Sequence, residues 1–134
     1  MGADTVILDT NVFVAAGFRR RSACAQIIAQ VRDGQIPMVW NQATRRETQA
    51  ILEKIPRLSW SSVAELFRAE GEFCGTTTLD QFDFIRDPDD RKFAALASAT
   101  EATLVTSDDD LLSCRDQAGM RILTPAEYWR TRVG

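Results

Sequence analysis

The run Thr5-Val6-Ile7-Leu8 is β-rich, apolar at three successive positions, and stops at Asp9. Successive side chains of a strand point to opposite faces, so a strand of this kind must be covered on both. That requirement predicts helices above and below a sheet, and the rest of the chain supplies them. Asn11 is placed to cap a helix opening with Val12-Phe13-Val14. A helix is expected over Ser22–Arg32, with Cys24, Ile27, Ile28 and Val31 on one face and Asp33-Gly34 ending it. Pro37–Trp40 reads as a second strand. Asn41 then caps a helix running to Lys54, with Pro56 just beyond. Ser59 or Ser62 opens another helix, Ser62 and Glu65 having capping-box spacing.

Residues 71–86 carry the weakest pattern, with a short strand expected at Thr76–Leu79. Asp87-Pro88 starts a helix that extends to Ala99, proline occupying the first helical position. Thr103–Val105 is a further strand, Asp109–Cys114 a short helix, and Arg121–Leu123 a last strand. Thr124-Pro125-Ala126-Glu127 opens the final helix. Strands alternating with helices predict an α/β chain, a three-layer α/β/α sandwich whose central, mainly parallel sheet has four to five strands.

With 134 residues the chain is expected to form one domain, 1–134, large enough for a core without disulfides. Cys24, Cys74 and Cys114 are widely spaced with no CxxC pair, so single buried thiols are expected instead of a disulfide framework or zinc site. No apolar run is long enough for a membrane span and no signal-peptide pattern opens the chain, so the expected compartment is the cytoplasm. The net charge of −3 does not describe a general nucleic-acid binder. Only Lys54 and Lys92 are lysines, however, and the rest of the 16 basic residues are arginines, which favour bidentate phosphate contact.

The acids are placed more tellingly than they are counted. Ligands collect outside the C-terminal ends of strands in open α/β sheets, where Asp9 and Asp108 both fall. Glu47 shares a helical face with Ala43, Ala50 and Ile51, and Asp90 shares one with Phe93, Ala94 and Ala97. Those faces are expected to turn inward, so each carboxylate would point toward the edge of the core. Gathered carboxylates are costly without compensation, and a divalent cation supplies it. Each acid also has a plainer reading as a helix cap, a helix-dipole acid or a surface ion pair. Asp89 would point off the shared face.

VILDTNVFVAA, the helix carrying Glu47, DPDDRKFAALASA, LVTSDDDLL and ILTPAEYW arrive in the order found in the PIN-domain family, and the chain resembles that family over nearly its whole length, in particular the VapC-like toxins. The resemblance implies that Asp9, Glu47, Asp90 and Asp108 take the metal-binding acidic positions, with Asp110 a secondary acid and Asn11 and Thr106 supporting polar groups. The three consecutive aspartates leave the fourth ligand open between Asp108 and Asp110, and Ser107 stands where many relatives carry glycine. An RNA substrate, a homodimer and inhibition by a cognate antitoxin protein are likewise implied by the resemblance alone.

Oxygen-only ligands suit Mg2+ or Mn2+ and disfavour zinc. The chain contains no histidine, which removes histidine-based triads and general bases, and it has no phosphate-binding glycine loop. The expected chemistry is therefore metal-assisted phosphodiester hydrolysis, with Arg19, Arg20, Arg21, Arg45 and Arg46 available for flanking phosphates. Trp40, Trp60 and Trp129 are expected in the core or an interface. A receiver domain would need an acidic pair after the first strand and a late lysine, and a dehalogenase-like phosphotransferase would need an aspartate where Asn11 stands. Both are disfavoured. The remaining alternative is a catalytically silent PIN-like module for RNA binding or assembly.

Overall fold

The structure is a computed structural model that describes residues 1, 2 and 4–133. Its sheet has three parallel strands, β1 (Val6–Leu8), β2 (Thr103–Val105) and β3 (Ile122–Leu123), in the order β1-β2-β3. Leu8 pairs with Val105 and Val105 with Leu123, so the three strands end at the same edge. The helices are α1 (Thr10–Phe18), α2 (Ala23–Arg32), α3 (Gln42–Glu53), α4 (Arg91–Thr100), α5 (Asp109–Leu112), α6 (Arg115–Ala118) and α7 (Pro125–Val133).

The alternation of side chains along β1 divides the interior in two. Val6 and Leu8 join Val12, Phe13, Ile27, Val31 and Tyr128 in a core beneath α1, α2 and α7. Ile7 points the other way and joins Leu104, Ile122, Phe93 and Leu96 beneath α4. This is the three-layer sandwich expected of a strand that is apolar at every position.

The sheet is narrower than four to five strands. Pro37–Trp40 runs beside β1 and is tied to it by Val6 N–H to the Pro37 carbonyl (3.0 Å) and Val39 N–H to the Val6 carbonyl (2.7 Å). The pairing is a single parallel bridge, Val6 with Met38, and does not extend into a strand. Trp40 turns away to bridge Glu72 instead. That contact brings Gly71 so close that a Cβ there would lie 2.1 Å from the Met38 carbonyl oxygen, which accounts for glycine at this position.

Thr76–Leu79 is not a strand: it leads into a 3-10 turn over Leu79–Phe82. The helix expected from Ser59 or Ser62 is replaced by two 3-10 turns, Trp60–Ser62 and Ala64–Leu66, and Glu65 pairs with Arg32 instead of completing a capping box. Among the cysteines only Cys24 is buried; Cys74 is exposed and Cys114 half-buried, and all are free thiols. Trp40 is buried, with its indole N–H donating to the Arg68 carbonyl (2.8 Å), while Trp60 and Trp129 pack against the first core. No helix among the described residues is long and apolar enough to cross a membrane.

Candidate functional site

The register of β1 and β2 sets the site. Asp9 follows Leu8 and Thr106 follows Val105, so the pairing that aligns the strands also sets these two side by side. Asp9 N–H donates to the Val105 carbonyl (3.1 Å), and the Thr106 hydroxyl donates to Asp9 Oδ2 (2.6 Å). Asp9 occupies the cap position of α1 without capping it through its side chain, because that carboxylate is turned to Thr106. Asn11, expected as the cap, is instead an exposed residue inside the first turn of α1.

Thr106 Oγ1 also accepts from Asp108 N–H (3.0 Å), and Asp108 caps α5 by accepting from Asp110 N–H (2.8 Å). One buried hydroxyl thus organises both acidic segments of the sheet edge. Asp110, half-buried, pairs with the largely exposed Arg86 at 2.8 Å.

Asp90 arrives from the other layer. Asp87 caps the turn Pro88–Asp90 by accepting from Asp89 N–H (3.0 Å), and α4 follows directly. Phe93, Ala94 and Ala97 anchor α4 in the second core, as their shared face predicts, and this carries Asp90 to the edge of the sheet, 6% exposed. Asp89 stays in solvent. Asp90 Oδ2 is buried and receives no hydrogen bond from the described residues.

Carboxylate oxygens of Asp87, Asp90 and Asp110 lie within 4.8 Å of one another, a spacing that one cation can bridge. Asp87 was read from the sequence only as a cap. Its spacing of three from Asp90 across a helix start was the available signal.

Glu47 comes to the site by a route the sequence reading missed. The face expected to turn inward is wrong: Ala43 and Ala50 are exposed, as is Ile51. The buried stripe of α3 is Thr44, Thr48 and Leu52. Thr44 serves the capping box with Asn41, and the Thr48 hydroxyl is 3.0 Å from that of Thr10, so these threonines are buried because their hydroxyls are satisfied. Glu47 borders that stripe. Thr10 donates to its Oε2 (3.2 Å), and Lys92 Nζ to its Oε1 (2.5 Å). Thr10 and Lys92 are both site residues absent from the sequence reading.

These acids perturb one another. Burial is the main reason the Asp9 carboxyl is pushed up to about 6; the charges of Asp108 and Glu47 add to it, and the Thr106 hydrogen bond opposes it. Asp90 is pushed up to about 8, again mainly by burial, then by Asp108, Asp9 and Asp87. Desolvation together with like charge marks a place where negative charge is held at a cost.

The arginines divide. Arg19, Arg20 and Arg21 are exposed beyond the far end of α1, whose nine residues span about 13 Å from the Asp9 end. Arg45 lies over the Trp60 ring, 5.2 Å from its centroid, and Arg46 is exposed on α3. None of the five reaches the carboxylates through a hydrogen bond or ion pair seen among the described residues. A cleft of about 400 Å3 opens at the opposite end of the strands, lined by Thr5, Pro37, Arg68 and neighbours, and includes none of Asp9, Glu47, Asp87, Asp90, Asp108 and Asp110.

Over 92% of its length the chain is similar to an uncharacterized protein of Methanocaldococcus jannaschii, at 23% identity and covering 88% of that protein. A family model described as PIN domain matches residues 5–110, which takes in β1, α3, α4, β2 and the acids of all four segments. Strand-end and helix-start acids converging at one edge of a parallel sheet are arranged on a nuclease fold, and the chain belongs to the PIN domain family.

Proposed function

We propose that the acidic edge is the active centre of a metal-dependent ribonuclease that hydrolyses RNA phosphodiester bonds, acting as the toxin component of a toxin-antitoxin pair. The observation that carries the metal is Asp90 Oδ2, an oxygen sealed from water with no hydrogen-bond partner among the described residues. A buried carboxylate in that condition is costly, and a hard cation compensates it better than any neighbouring side chain does. The donor set fits Mg2+ or Mn2+: carboxylates surround the position, no histidine exists, and the site is free of thiols.

Asp9 and Asp90 would hold the ion, with Asp108 or Asp110 and the newly identified Asp87 available to complete its shell. When bound, the ion would lower the pKa of a water and stabilise charge on the departing oxygen. The remaining work falls to the chain's own groups. Thr106 fixes the rotamer of Asp9 through a 2.6 Å hydrogen bond. Asp108 keeps one oxygen on the α5 cap, where it accepts from Asp110 N–H. Glu47, held by Thr10 and Lys92, keeps a carboxylate at the rim where it can orient a water. Arg19, Arg20, Arg21 and Arg46 supply exposed positive charge along the flank for a phosphate backbone.

RNA, a cognate antitoxin and a homodimer belong to this reading through the family likeness. Cleavage of single-stranded and structured RNAs in Mg2+ or Mn2+ tests it, with Asp9→Asn and Asp90→Asn beside the wild type. Loss of cleavage in both variants and in chelator, with folding retained, is the expected result. Equal cleavage by the variants would overturn it.

A further inference from the structure

The two sides of the acidic centre differ in who supplies the positive charge. On the side of Asp90, the ion pair seen among the described residues is that of Asp110 with Arg86, which is 87% exposed. Around Glu47 the chain brings its own cation: Lys92 Nζ sits 2.5 Å from Oε1, and the side chains are only 23% and 20% exposed. Oε2 is taken by Thr10. Both oxygens of Glu47 are therefore occupied by protein donors.

Lys92 is poorly placed for any purpose of its own helix. It is the second residue of α4, where the helix dipole disfavours a cation. What offsets that cost is the opposing carboxylate 45 positions earlier on α3. An ammonium also has three donors, and Glu47 uses one of them.

We propose that Lys92 is the second cation of this centre: its ammonium fills the place beside Glu47 that a second divalent ion would otherwise take, so the site loads one metal ion, on the side of Asp9 and Asp90. This rests on the metal-dependent reading above and deepens it by fixing the stoichiometry and the role of Glu47. Glu47 then does not ligate metal. It holds Lys92, whose ammonium keeps donors to spare for a phosphate oxygen beside the ion. Lys92 is a positioning residue for Glu47 and a fixed charge for the substrate.

Titration calorimetry with Mn2+ counts the ions directly and needs no substrate. The wild type is expected to bind one Mn2+ per chain. Lys92→Met releases Glu47 and is expected to bind two, the second more weakly, and adding Glu47→Gln to Lys92→Met returns the count to one. Lys92→Arg keeps the cation and is expected to stay at one, which guards against a misfolded methionine variant. Two ions in the wild type, or one in a folded Lys92→Met, would overturn the inference while leaving the metal-dependent reading intact. No Mn2+ bound by the wild type would overturn both.

Discussion

Glu47 and Asp90 stand on opposite sides of one acidic centre and meet opposite treatment. Glu47 lies between a lysine and a threonine, with both oxygens engaged. Asp90 is more deeply buried and has an oxygen without a hydrogen-bond partner among the described residues. The first is a carboxylate the fold has satisfied. The second is one the fold has left waiting, and only that kind stores a driving force for binding a cation from solution. Proximity to the centre therefore does not make two acids equivalent.

Replacing each acid by its amide should separate them most sharply. Asp90→Asn is expected to lower cleavage by roughly 100- to 1000-fold, the scale of losing one preorganised electrostatic group, yet to stabilise the metal-free protein by about 1–3 kcal/mol above about pH 8, where Asp90 has lost its proton and its buried charge is unsatisfied. Glu47→Gln is expected to move stability the other way by a similar amount, since it leaves Lys92 facing an amide. Equilibrium denaturation in chelator measures both; two shifts of the same sign would erase the distinction.

Thr106→Val removes the hydroxyl that aims Asp9 and braces Asp108. Cleavage should fall by about 10–100-fold, as for other groups that orient a metal ligand. The Thr106 hydrogen bond holds the Asp9 pKa down, so its loss should carry that carboxyl above about 6 in the metal-free protein. NMR titration of Asp9 reads the direction.

The pH dependence follows from the same imbalance. Asp9 and Asp90 keep their protons in the fold up to about 6 and about 8, whereas in the unfolded chain they release them near 3.8. Between those values the native state binds more protons than the unfolded state, so stability falls as pH rises. The contribution of these two groups is complete below about pH 4 and is lost as pH climbs through 6 and then 8. Denaturation midpoints across that window should decline in chelator for the wild type and decline less for Asp90→Asn.

The smallest expected effect lies far from the acids. Glu101 ends α4 in the left-handed region at φ 62°, a conformation that suits glycine. Glu101→Gly should stabilise the protein by about 0.5–1 kcal/mol and leave cleavage unchanged.

How much could be read in advance follows from which interactions are local. β1, β2, β3, α2, α4 and α7 were legible because their apolar spacing and caps are written in consecutive residues. Pro37–Trp40 has the composition of a strand, but it makes one bridge to β1 and then turns to Glu72, which composition cannot reveal. Residues 59–66 contain helix-start signals without a sustained apolar stripe, and they settle into 3-10 turns.

At the candidate site, Asp9, Asp90 and Asp108 could be placed from strand ends and the face of α4. Glu47 reached the centre although the face assigned to it was wrong, because buried threonines read as polar until their hydroxyl partners are known. Lys92 was invisible as a partner: its pairing with Glu47 depends on α3 and α4 meeting across the sheet edge. Asp87 was recognised as a cap, and its approach to Asp90 and Asp110 was passed over.

The central claim is that Asp90 is held in a deficit that a divalent ion relieves. Thermal unfolding of the wild type and Asp90→Asn, each with chelator and with added Mn2+, tests it without any substrate. The wild-type midpoint should rise with Mn2+ and that of Asp90→Asn should stay nearly fixed. Equal rises in the two proteins, or none in the wild type, would contradict the account.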